Sequence, residues 1–95
     1  METENGVEKI GKIGKILRAT ANKRRLLILS LLKRKGQVSV SEIAHHIRLS
    51  VRSTSRHLAT LSSAEIVEKE QRGLFMFYNI NPNIHTCARQ IIDVL

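Results

Sequence analysis

LSVRSTSRHLATL, residues 49–61, carries two arginines, a histidine, a run of hydroxyl residues and no acid. Its leucines and polar groups interleave at helical spacing. Thr54, Leu58 and Leu61 fall on one side, and Val51, Arg52, Ser55 and Arg56 fall toward the other. Ser50, just ahead, suits an N-cap. Leu58 and Leu61 therefore anchor the helix to a core. The outer stripe holds the residue types that bond phosphates and base edges: Arg can grip guanine with two hydrogen bonds, and Ser and Thr reach bases or phosphates. Thr54 lies on the inward stripe, where its hydroxyl needs a partner such as the preceding turn's carbonyl.

Upstream, Ser39 and Glu42 have capping-box spacing, and Ile43, Ala44 and Ile47 give a short apolar face before "RLS" breaks the pattern. Two helices joined by a tight turn, the second basic on its outer side, fit a helix-turn-helix. Before them, Asn22 caps "KRRLLILSLLKRK", Lys33, Arg34 and Lys35 suit its C-terminal dipole, and Gly36 closes it in the left-handed conformation. Being apolar nearly all round, this is the expected central core helix. The first segment, "VEKIGKIGKILRATA", puts Ile10, Ile13, Leu17 and Ala21 on one face with Ile16 beside it. Lys9, Lys12, Lys15 and Arg18 form a neighbouring basic stripe. Such a helix can lie on a membrane, but it is short and has no aromatic anchor. Gly11 and Gly14 either let another backbone come close or merely loosen the helix.

Downstream, "IVEKEQ" and "LFMFYNI" read as a hairpin turning at Arg72-Gly73, with Arg72 at its tip and Lys69 beside it. Phe77 and Tyr78 are expected to pack the hairpin on the core. Pro82 suits the first turn of a last helix, where Ile84, Cys87, Ala88, Ile91 and Leu95 line one stripe. The expected order is α-α-α-α-β-β-α: one mainly α domain over residues 1–95 with a small β-hairpin, a winged helix-turn-helix.

Charge agrees with this. The net charge is +8, and between Lys9 and Ala64 thirteen basic residues face one acid, Glu42. A one-sign field over most of a small domain favours a polyanion, with nucleic acid the commonest and an anionic membrane surface next. The acidic start "METENG" lacks a signal peptide's features. The longest apolar stretch, Leu26 to Leu32, is interrupted by Ser30 and too short to span a bilayer. The lone Cys87 rules out an internal disulfide, so a cytoplasmic location is expected. On an apolar stripe that cysteine reads first as a small buried hydrophobe and second as a redox sensor. No enzyme constellation stands out, since Ser55 and His57 diverge and there is no phosphate loop or HExxH.

"NKRRLLILSLL", "VSVSEIAHHIRLS", "STSRHLATL" and "AEIVEKEQRGLFMFYNINP", in this order, resemble the ArsR/SmtB family of winged-helix transcriptional repressors over roughly Leu17 to Pro82. The resemblance implies a homodimer that binds imperfect inverted repeats in promoters and dimerises through its first and last helices. Those would be residues 7–21 and 83–95, with Ile10, Ile13, Gly14, Leu17, Ile84, Cys87, Ala88, Ile91 and Leu95 at the interface. The residues expected at DNA are Arg48, Ser50, Val51, Arg52, Ser53, Ser55, Arg56, His57, Lys69 and Arg72. Packing against a neighbour is an equal reading for His57.

The sequence departs from the family at its metal sites and at two glycine positions. Metal-sensing members often carry Cys-Val-Cys where this chain has Ser39-Val40-Ser41, and hydroxyls do not replace thiolates for soft metals. His85 and Cys87, two apart, make poor joint ligands. No metal or cofactor is therefore expected, and the sequence names no effector. The family's glycines in the helix-turn-helix turn and after the recognition helix are replaced by Arg48 and Glu65. Each costs on the order of 1 kcal/mol if positive φ is kept. The rival functions are a sequence-neutral architectural DNA-binding protein and a winged-helix protein-interaction module.

Overall fold

Each helix begins where a side chain takes up an otherwise orphaned amide. The computed structural model describes residues 5–95. Asn5 and Glu8 form a reciprocal capping box at the start of α1 (Gly6–Thr20). Asn22 caps α2 (Lys23–Lys35) by accepting from the Arg25 amide at 3.1 Å. Gly36 ends α2 at φ 85°. Val38–Ser39 form a short strand, β1, and Ser39 Oγ caps α3 (Val40–Ile47) through the Glu42 amide at 3.2 Å. Only that half of the expected box forms, because the Glu42 carboxylate pairs with Lys35 Nζ at 3.2 Å. Ser50 Oγ accepts from the Ser53 amide at 3.0 Å at the head of α4 (Val51–Ser63). The strands β2 (Val67–Arg72) and β3 (Phe75–Ile80) follow, then α5 (Thr86–Asp93), capped by His85 Nδ1.

The core gathers around α2, as its all-round apolarity implies. Ile28, Leu29, Leu31 and Leu32 are buried against Ile43 and Ile47 of α3, Leu58 and Leu61 of α4, Val67 and Tyr78 of the sheet, Ile16 and Ala19 of α1, and Ala88 and Ile92 of α5. β3 is central, with antiparallel β2 on one side and β1 on the other. Val67, Lys69, Tyr78 and Ile80 share the core-facing side, and Glu68, Glu70, Arg72 and Phe77 share the other.

The structure adds two features to the sequence reading and corrects two others. Val38 and Ser39 form a strand by pairing with Tyr78 and Phe77. The last helix starts at Thr86; Pro82 lies in the turn before it, because His85 supplies the cap. In α1 the core-facing residues are Ile16, Ala19 and Thr20, while Ile10, Leu17 and Ala21 are exposed. Thr54 is fully buried and its Oγ1 has no hydrogen-bond partner. A buried, unpaired hydroxyl costs about 1–3 kcal/mol, and valine has nearly the same shape. Thr54→Val is therefore expected to raise stability by about 1 kcal/mol. A higher urea midpoint at unchanged m would verify this.

Candidate nucleic-acid interface

The two faces of α4 separate as its sequence implies. Thr54, Leu58 and Leu61 are buried, while Val51, Arg52, Ser55, Arg56, Ala59 and Thr60 are exposed and Ser53 is half-buried. None of the thirteen residues of α4 is acidic, so its exposed stripe carries no negative charge. Arg48 and Ser50 lie exposed just ahead of it, so Arg48, Ser50, Val51, Arg52, Ser55 and Arg56 make one open basic and hydroxyl surface.

The turn into α4 keeps its backbone geometry without glycine. Arg48 has φ 57°, the Leu49 amide bonds the Ala44 carbonyl at 3.0 Å, and the Arg48 amide bonds the His45 carbonyl at 3.3 Å. This is the paired bonding of a Schellman motif. The exit from α4 repeats it. Glu65 has φ 60°, with Ile66 to Leu61 at 3.0 Å and Glu65 to Ser62 at 2.9 Å. Asn81 Nδ2 adds a 3.0 Å bond to the Glu65 carbonyl. Left-handed geometry costs a non-glycine residue about 1–2 kcal/mol, and glycine's freer unfolded chain returns about 0.4–1 of that. Arg48→Gly and Glu65→Gly are each expected to raise stability by about 0.5–1 kcal/mol. Only Arg48→Gly is expected to weaken DNA binding as well. Paired denaturation and binding titrations check both halves.

His57 does not belong to the open surface. Its Nδ1 lies 3.2 Å from Arg25 Nη1, and Arg25 also donates through Nε to the Ala19 carbonyl and through Nη2 to the Arg18 carbonyl. The guanidinium can only donate, so His57 accepts at Nδ1 and carries its proton on Nε2. It is a packing histidine that ties α4 to the end of α1. Burial, then the charges of Arg25 and Arg24, hold its pKa below the ordinary 6.5. The unfolded chain thus takes up the proton more readily. The stabilisation is complete above pH 6.5 and is lost as pH falls through the lower folded value. The parent's urea midpoint is expected to drop as pH falls from 7 toward 5, with a smaller drop in His57→Gln.

The hairpin turns at Gly73-Leu74 (Gly73 φ 59°), one residue later than the sequence reading. Arg72 is not its tip. Its guanidinium stacks 4.7 Å from the Phe77 ring centroid and lies 3.6 Å from Glu70. Leu74 occupies the tip at 95% exposure. Lys69 is exposed on the opposite side of the ribbon from Arg72. Tyr78 packs on the core as expected, whereas Phe77 is only half-buried. Leu74, Phe75 and Met76 line a cleft of about 240 Å³ with Val51 and Ser55.

Of the positions expected at a dimer interface, Ile10, Leu17 and Leu95 are exposed, and Ile13, Gly14, Ile84, Cys87 and Ile91 are half-buried. Ala88, at 1% exposure, is inside its own protomer's core and cannot serve. Val7 and Val94, at 82% and 83% exposure, are further apolar side chains open to solvent. Gly14 admits no close backbone within the protomer; its nearest neighbour is the Arg18 guanidinium. The cations closing α2 are engaged: Lys33 Nζ bonds the Asp93 carbonyl at 3.1 Å, Arg34 approaches His46 Nε2 at 3.4 Å, and Lys35 pairs with Glu42.

At Ser39-Val40-Ser41 the residues do not fit a soft metal, because there is no thiolate and the Ser39 hydroxyl is committed to capping α3. Among the described residues no three His, Cys, Asp or Glu side chains come together as a metal site.

A model of the arsR family of bacterial regulatory proteins matches residues 22–69, from the cap of α2 into β2. The transcriptional repressor SdpR of Bacillus subtilis is 33% identical over 69 residues, covering 73% of this chain and 76% of SdpR. The transcriptional activator HlyU of Vibrio cholerae is 35% identical over 80 residues, covering 84% and 70%. Among solved structures, a homodimeric winged helix-turn-helix DNA-binding domain of Mycobacterium bovis, a possible ArsR-family regulator, superposes with a TM-score of 0.84 at 28% identity. That match covers 98% of this chain and 83% of the other.

Proposed function

The chain belongs to the arsR family of bacterial regulatory proteins, and from that membership we propose that it is a homodimeric, sequence-specific DNA-binding transcriptional repressor. One observation carries this reading: α4 buries Thr54, Leu58 and Leu61 and turns an acid-free stripe containing Arg52, Ser55 and Arg56 to solvent. That stripe enters the major groove. Arg52 and Arg56 read bases, Ser53 and Ser55 support them, and Arg48 and Ser50 hold the backbone at the helix N-terminus. Lys69 and the wing tip reach neighbouring backbone. Arg72 contributes there only if it leaves Phe77, and His57 contributes through α4's position.

Two-fold symmetry places the half-sites about one helical turn apart, roughly 34–36 Å or a multiple of it. Pairing occurs through α1 and α5, where Val7, Ile10, Leu17 and Val94 stand exposed with no cover within the protomer. Repression follows from occupying a promoter. SdpR is a repressor and HlyU an activator, so the sign of regulation depends on where the operator lies. No helix among the described residues is long and apolar enough to cross a membrane, and we place the protein in the cytoplasm beside its DNA. The relatives are transcriptional regulators, and the proposal assigns no catalytic step.

The test is selection of bound duplexes from a random pool at about 150 mM salt, near physiological screening. Enrichment of an inverted repeat is expected. Binding without enrichment would replace the repressor by an architectural protein, and no binding would point to a protein-interaction module.

A further inference from the structure

The basic stripe of α1 has no part in the site above. Lys15 and Arg18 of that stripe line, with Arg25, Ala59, Thr60 and Ser63, a trough of about 770 Å³ between α1 and the C-terminal half of α4. None of these side chains is acidic, and the α4 wall is made of small or hydroxyl residues. A second hollow of about 340 Å³ shares Lys15 and Ser63 and adds Lys12 and His85, with Glu65 its one acid. Neither the Lys35–Glu42 nor the Arg72–Glu70 ion pair involves Lys15 or Arg18. The α4 wall of the trough continues the exposed stripe that begins at Arg52. Thr60 lies two turns beyond Arg52, and its hydroxyl bonds the Arg56 carbonyl.

We propose that this trough is a second, sequence-neutral seat for DNA backbone, with Lys15 and Arg18 holding phosphates that Arg52 and Arg56 do not reach. The inference rests on the DNA-binding reading and extends it to a different helix. The shape suits a sugar-phosphate strand: cations stand along one wall, and the other has small side chains and hydroxyls that let a backbone approach. The apolar surface of α1 leaves the Lys15 side free, and Arg18 borders it, about 20° around the helix from Val7. Lys15 is five positions from Ile10 and so about 140° around the helix from it. A partner helix seated on Val7, Ile10 and Leu17 leaves the Lys15 flank open.

The test uses the full chain and the operator obtained from the duplex selection. Binding of the parent and of Lys15→Gln/Arg18→Gln is titrated by fluorescence anisotropy across a salt series, and dimer mass is followed by light scattering. Each lost phosphate contact reduces the slope of log affinity against log salt by about 1, so the double variant is expected to be shallower by about 2. Its ratio of operator to random-sequence affinity should be unchanged. Thr60→Glu, which adds a carboxylate from an exposed position, should weaken binding to both sequences alike. An unchanged slope would overturn the proposal. So would a loss of sequence preference at normal slope, or weakening that accompanies loss of the dimer. If the parent binds no DNA, the DNA-binding reading itself fails, and the trough's role fails with it.

Discussion

Replacing Arg52 and Arg56 together by alanine is expected to abolish operator preference while leaving the protein folded. Both side chains are exposed on α4, and neither bonds another described residue. A well-formed arginine contact to a base contributes about 1–3 kcal/mol of discrimination, roughly 5- to 150-fold for each arginine. The two lie four apart on one helix, so their losses need not add. Residual binding should become equal on operator and random duplex and keep a steep salt dependence from the remaining cations. Competition titrations with both duplexes, beside a melting curve matching the parent's, would check this. An equal loss on both sequences would place these arginines on phosphates instead.

Leu58→Ala is expected to cost about 3 kcal/mol of stability, within the 2–5 typical of buried leucine truncation. Leu58 is fully buried and packs in the core with Leu61 and the α2 side chains. A chain of this length has only about 5–14 kcal/mol in all, so the variant should be substantially unfolded when warm. DNA binding would fall because the same leucine holds the polar stripe outward. Leu58→Met keeps most of the volume and should lose less than about 1.5 kcal/mol. Urea denaturation of the two variants separates the loss of packing from any loss of a DNA contact.

Much of what depends on near neighbours in sequence was legible before the fold. Asn22, Ser39 and Ser50 cap their helices as their positions imply, because a cap bonds an amide three residues away. The two faces of α4 follow from helical spacing alone. Whether Arg48 and Glu65 keep left-handed turns was left open by the sequence; both do, held by their hydrogen bonds. What escaped depends on distant partners. The strand at Val38–Ser39 exists because β3 comes to lie beside it, some forty residues on. Ala88 and Ile10 sit on stripes of similar appearance, yet one enters the core and the other faces solvent, because burial depends on where the next helix packs. Arg72 left the wing tip for the Phe77 ring, a cross-strand contact the sequence order hides. The trough was half visible: the lysine stripe was plain, but its facing wall on α4 was not.

Arg25 donates to carbonyls at the end of α1 and to His57 on α4, while its own amide is capped at the head of α2. One side chain of α2 thus closes the end of α1 and reaches the middle of α4. Unwinding the end of α1 therefore also releases the side chain that holds His57. In amide hydrogen exchange, α4 and the end of α1 are therefore expected to open together with α2, as one cooperative unit.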